Sequence, residues 1–190
     1  MSSPYVELHA HSGFSFLDGA SHPEELVLRA KELGYPALAL TDHNGLYGSM
    51  EFARAAREEG IQPITGAEVS LDPATVPGVE GWGRAAGECM RRSESHNGAA
   101  AGPYATGVGV GLPPDLEPTP PDTGLHVTLL AETPQGYANL CRLLTLAHMG
   151  ACDRRDPLLP FPTLVDPERA RGLILLTGCR RSPLWAALTD

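Results

Sequence analysis

Pro36-Ala37-Leu38-Ala39-Leu40-Thr41-Asp42-His43 opens as an unbroken apolar run and closes on polar side chains of metal-ligand type. A short apolar run without alternation suits a strand buried on both faces, as in sheets covered by helices. Working outward from it, Tyr5-Val6-Glu7-Leu8-His9 reads as an earlier strand, followed by a loop. Ser21-His22-Pro23-Glu24 has capping-box spacing between Ser21 and Glu24, with Pro in the first turn, and predicts a helix to Leu33 that Gly34 stops. On the other side, Ser49 to Glu59 reads as a helix with apolar Phe52, Ala55 and Ala56, stopped by Gly60, and Ile61-Gln62-Pro63-Ile64-Thr65 leads into a third strand reaching Ser70. Further on, His126 to Ala131 is a fourth strand, Thr133-Pro134 starts a helix to about His148, Leu173 to Thr177 is a fifth strand, and Ser182-Pro183 opens a last helix. Alternation of strand and helix predicts a parallel α/β sheet, open or barrel-like, with right-handed crossovers.

Residues 72–124 break this order. They hold 18 of the chain's 39 Gly and Pro residues and show no sustained period of 2 or 3.6, so they read as a long flexible insertion. The expected organisation is therefore a first folded part at 1–71, the insertion at 72–124, and a second folded part at 125–190.

The 190 residues amount to one domain, and 42% hydrophobic against 19% charged residues exclude a disordered acidic tail. No apolar run approaches the ~20 residues that cross a bilayer, and no secretory signal is visible at the N-terminus, so a cytoplasmic location without membrane contact is expected. Cys89, Cys141, Cys152 and Cys179 form no CxxC pair and are expected to be reduced thiols, each still available as a metal ligand. A net charge of -9 makes the chain alone a poor nucleic-acid binder, because such affinity comes mostly from Lys and Arg.

Three consecutive strands end on ligand-type residues: His9-Ala10-His11, Thr41-Asp42-His43 and Gly66-Ala67-Glu68. The period of 2 points His9 and His11 to one face, and in parallel α/β folds the ligand site lies at the carboxyl ends of the strands. Asp18, in the loop after the first strand, is placed to curl back as an oxygen ligand, and Cys179 follows the fifth strand, where a thiolate suits zinc. Each has a plainer reading: Asp42 as the cap of the next helix, Glu68 as a solvent carboxylate, Asp18 as a turn residue, Cys179 as a buried thiol. His126 begins a strand and has no special standing on spacing alone, and His22, His96 and His148 are assigned no role. The phosphate loop, the nucleophile elbow and the dinucleotide fingerprint are all missing, and Gly107-Val108-Gly109-Val110-Gly111 lies in the low-complexity insertion.

Leu8 to Ser12, Thr41 to Gly48, Gly66-Ala67-Glu68, His126 to Ala131 and Leu176-Thr177-Gly178-Cys179 resemble, in order, the polymerase-and-histidinol-phosphatase (PHP) domain. Phe14 to Ser21 and Gly136-Tyr137-Ala138-Asn139-Leu140 narrow the likeness to the PHP domain at the N-terminus of bacterial C-family DNA polymerases, the DNA polymerase III alpha subunits. Within that group the likeness is strongest to the error-prone polymerases of damage-induced mutagenesis, translesion synthesis and repair. The resemblance implies a distorted (β/α)7 barrel, truncated here after about five β/α units. It also implies two or three divalent ions (Zn, Mn or Mg) held by His9, His11, Asp18, His43, Glu68, His126 and Cys179, with Asp42 supporting the ligands. It implies metal-dependent phosphoesterase chemistry for the domain, in some replicases a proofreading exonuclease, and nucleotidyl transfer for the parent enzyme. The expected partners are the rest of a polymerase chain and, through it, DNA.

Three departures accompany the likeness. The family's late Asp-x-His-like pair is absent, so the final strands of the barrel are expected to be missing. The polymerase modules are absent too, and the 72–124 stretch is longer than the usual link. A free-standing PHP phosphatase and a catalytically dead scaffold module are the alternatives.

Overall fold

In the computed structural model, residues 5–78, 125–151, 157–178 and 182–183 are described. Helix α1 (Pro23–Glu32) begins with Pro at its first position and carries Glu24 and Glu25 in its first turn and Arg29 and Lys31 in its last, matching the helix dipole at both ends. Its cap sits one residue later than the Ser21/Glu24 spacing implies: the His22 N–H donates to Glu25 (2.8 Å). Pro23, held at the helical φ, sets that frame. Strand β1 (Ala37–Leu40) follows, then α2 (Ser49–Glu59), whose Phe52, Ala55 and Ala56 form one buried stripe. That stripe meets Val27 and Ala30 of α1, Leu38 and Leu40 of β1, and Ile61 in a first core.

Strand β2 (Gln62–Asp72) is the spine of the sheet, and β3 (His126–Ala131) lies beside it. Helix α3 (Pro134–Gly150) starts where Thr133 Oγ1 accepts the Gly136 N–H (3.0 Å). The short pieces β4 (Leu159–Pro160), α4 (Phe161–Leu164) and α5 (Pro167–Ala170) precede β5 (Leu173–Leu176). Ala67, Val69 and Leu71 of β2 join Val127 and Leu129 of β3 and the inner face of α3 in a second, larger core.

The five strands make one mixed sheet in the order β1-β2-β3-β5, with β4 paired to the end of β2. β1 and β2 are parallel as expected, but β3 is antiparallel to both β2 and β5, which corrects the all-parallel reading. A parallel return needs a crossover of a dozen or more residues along the sheet face. Here β3 starts level with the end of β2, His126 opposite Ser70, and runs back along it. The Tyr5–His9 strand is reduced to a single parallel bridge, Glu7 to Leu38, with the Ala39 N–H donating to Glu7 O (2.9 Å). The stretch from residue 72 opens in ordered fashion: Asp72 ends β2, Pro73–Thr75 form a 3-10 turn, and Val76 is buried. The flexible insertion expected over 72–124 otherwise lies outside the described residues, as does the last helix beyond Pro183. Among the described residues, no helix is long and apolar enough to cross a membrane.

Candidate metal centre

Alternation along β2 and β3 sorts two kinds of chemistry. Ala67, Val69, Val127 and Leu129 face the core, whereas Glu68, Ser70, His126 and Thr128 share the opposite face. Beyond β1 the chain stays on β2: the Glu68 N–H donates to Asp42 O (3.1 Å) and the Asn44 N–H to Glu68 O (2.7 Å), which sets His43 beside Glu68. The N-terminal segment runs along the other side of β1, with the Thr41 N–H donating to Ala10 O (2.9 Å), and brings His9 and His11 to the same rim.

Glu68 is the hub. Its side chain is 2% exposed, and four imidazoles surround it. Oε2 lies 2.6 Å from His9 Nε2 and 3.7 Å from His11 Nε2; Oε1 lies 2.9 Å from His43 Nδ1 and 3.3 Å from His126 Nδ1. The Nε2 atoms of His9 and His11 stand 3.0 Å apart. Asp18 closes the outer side, Oδ2 reaching His43 Nε2 at 2.9 Å and His11 Nδ1 at 3.9 Å. Two groups of three donors result, His9/His11/Glu68 and His11/Asp18/His43, each with its donor atoms within 4.8 Å of one another and sharing His11.

Burial alone would push the Glu68 carboxyl up, but His43 and His9 at hydrogen-bonding distance, with the charge of His126, outweigh it and hold the group well below the usual carboxylate range. Contact with Glu68 lifts His43 to about 9 against the opposing effect of burial, with Asp18 adding to the rise. The hydrogen bond to Glu68 raises His9 in the same way, whereas burial and the neighbouring His43 charge lower His11. The bond from His43 keeps Asp18 low.

The donor set fits a divalent cation. Imidazole nitrogens and carboxylate oxygens are the ligand types of zinc and manganese. Two ring nitrogens 3.0 Å apart beside a buried carboxylate oxygen bring three potential ligand atoms together, an arrangement suited to a cation.

Asp42 supports this arrangement from below. It is 2% exposed and accepts the Ser12 N–H (2.7 Å), the Ser12 hydroxyl (2.8 Å) and the Ser15 hydroxyl (2.7 Å). Ser15 Oγ in turn accepts the His43 N–H (3.1 Å) and lies 3.3 Å from His11 Nδ1. The loop bearing Asp18 closes where Gly19 passes Ser12 so tightly that a Cβ would strike the Ser12 backbone. Leu17, fully exposed with φ +70, turns the chain so that Asp18 faces inward.

Of the ligand candidates, His9, His11, Asp18, His43, Glu68 and His126 meet in one cluster, and Cys179 lies outside the described residues. Glu68 is no solvent carboxylate, and Asp42 caps no helix, since α2 starts from Gly48. Sequence reasoning passed over Ser12, Ser15, Asn44 and Ser70. Only Asn44, in an Asn-Gly turn pair after His43, carried a local signal.

An α/β domain with a histidine and carboxylate cluster on the rim of its sheet has the donor set of a metal-binding domain. The chain belongs to the PHP domain family, whose model matches residues 7–190. It is homologous to the N-terminal region of error-prone DNA polymerases: 42% identical over 192 residues to that of Nocardia farcinica, covering 98% of this chain and 16% of that protein, and 39% identical over 189 residues to that of Mycolicibacterium paratuberculosis, covering 100% and 14%. The chain thus spans about one seventh of the length of these curated relatives. Among solved structures, an amidohydrolase from Chromobacterium violaceum is similar at 26% identity over 76% of this chain and 34% of that chain, with a TM-score of 0.43.

Proposed function

We propose that this chain is the N-terminal PHP domain of an error-prone DNA polymerase, and that its cluster is a divalent-metal phosphoesterase centre. The observation that carries the reading is Glu68, buried among four imidazoles, three of which form with it and Asp18 two three-donor groups that share His11. His9, His11 and Glu68 would hold one ion and His11, Asp18 and His43 a second, with His126 and Cys179 completing the set and zinc or manganese as the metal. Bound ions of this kind activate water and neutralise charge developing on a phosphoryl group.

The chain's own residues set the conditions for that chemistry. The half-buried imidazoles of His9, His11 and His43 are held in place by Glu68 from within. Asp18, 60% exposed, marks the open side by which a phosphoester would enter. Because the chain carries a net charge of -9, attraction for a phosphate would come from the ions and not from basic side chains.

On this reading the fold is the family's (β/α)7 barrel with about five units in this chain, divided at 1–71 and 125–190 around the 72–124 insertion. DNA contact and translesion synthesis in the cytoplasm would come from the rest of a polymerase chain.

The test is metal content by elemental mass spectrometry on the purified chain beside His9→Ala/His11→Ala, followed by hydrolysis of a chromogenic phosphodiester. Two or more Zn or Mn per chain, lost with activity in the double variant, is the expected result. Substoichiometric metal in both proteins would refute the metal centre and leave the scaffold alternative.

A further inference from the structure

We propose that Asn44, clasped to Ser70 and pinned by His148, is a positioning residue that aims His43 into the centre; the inference rests on the metal reading above. Asn44 has φ +50, a left-handed conformation that Asn tolerates better than most residues. Every polar group it owns is engaged. Its N–H donates to Glu68 O (2.7 Å), its side-chain oxygen accepts the Ser70 N–H (2.9 Å), and its amide nitrogen donates to Ser70 Oγ (2.9 Å). Its carbonyl accepts from His148 Nε2 (2.8 Å), a residue 104 positions away in the last turn of α3. The Ser70 N–H can only donate, so the orientation of the Asn44 amide follows from the network.

The placement gives these bonds their meaning. Asp42 to Asn44 lie on β2 past the end of β1, with His43 directly beside Glu68. Asp42 and Ser15 fasten the near end of this segment, and Asn44 is its last fastening before Gly45. Ser70 lies on the strand of Glu68 and is the register partner of His126, so one clasp ties together the backbones that carry His43, Glu68 and His126, three of the six clustered donors. His148 adds little to the anchoring of α3, which already buries Leu140, Leu143, Leu144 and Ala147. Its hydrogen bond goes to the one carbonyl that follows His43. Residues that orient ligands in this way typically change metal affinity about 10- to 100-fold when removed.

The experiment is Zn2+ binding by chelator competition on the full chain, with the melting temperature of the metal-free protein recorded alongside. The variants are Asn44→Gly, which keeps the positive φ without the clasp, His148→Leu, and His148→Gln, which restores a donor. Asn44→Gly and His148→Leu are expected to weaken the ion held by His11, Asp18 and His43 about 10- to 100-fold, to leave the ion held by His9, His11 and Glu68 unchanged, and to be partly rescued in His148→Gln. Should Asn44→Gly fail to fold, the two His148 variants decide alone. Equal affinity for both ions in all proteins overturns the inference. So does a parallel loss of both ions together with a lowered melting temperature, which makes the residues merely structural. If the wild-type chain takes up no Zn2+, the metal reading itself fails and this inference falls with it.

Discussion

Replacing Asp42 tests the support of the centre without touching a ligand. The side chain is buried and accepts three hydrogen bonds, from the Ser12 N–H, the Ser12 hydroxyl and the Ser15 hydroxyl. Each bond to an acidic acceptor is worth about 1.5 kcal/mol at the low end, so Asp42→Ala, which strands three buried donors, should cost about 4.5 kcal/mol. In a domain of this size that lowers the melting temperature by about 10 °C. Asp42→Asn keeps the shape and one oxygen, and the Ser12 hydroxyl can turn to accept from the new amide, so its cost should be about 1 kcal/mol. The assay is thermal unfolding in the presence of a chelator, which removes any contribution from bound metal. Asp42→Ala melting within about 3 °C of wild type would refute the reasoning, as would Asn and Ala variants that melt together.

The metal-free chain should lose stability as pH rises. His43 is held at about 9 in the folded state against 6.5 for a free imidazole, so its contribution is fully present below 6.5 and is lost as pH passes 9. A melting temperature that stays flat from pH 6.5 to 9 would contradict this, while metal uptake should strengthen over the same range as protons leave the imidazoles. Gly136→Ala should destabilise by roughly 1–3 kcal/mol, read by denaturant unfolding, because a Cβ there would drive into the Gly172 carbonyl where the β5 approach packs on α3.

Much of the fold was legible because local signals and tertiary packing agree. The α2 stripe of Phe52, Ala55 and Ala56 carries a helical period and the run into β1 is continuously apolar, and both elements lie where those patterns put them. The direction of β3 was not legible, since a strand's own sequence does not say which way its neighbours run. That blind spot explains His126. At the start of a parallel strand it would stand at the far rim, away from Glu68, and only the antiparallel return brings it opposite Ser70. The resemblance to the PHP family supplied what spacing could not. Ser15 escaped notice for a different reason: its role comes from a hydrogen bond to a residue 27 positions away, which leaves no local pattern, and the Asn-Gly pair at Asn44 signals a turn but not the bond to Ser70 26 positions away.

The same reversal has a thermodynamic side. With the Leu71 N–H bonded to the Leu125 carbonyl (2.7 Å), the residues that flank the 72–124 stretch are neighbours, so its length does not have to span any distance. The entropy of closing a loop grows only logarithmically, each doubling of length costing about 0.6 kcal/mol. Chain length at this point is therefore nearly decoupled from the centre a few residues away, and the domain can lengthen or shorten there while Glu68 and His126 keep their pairing.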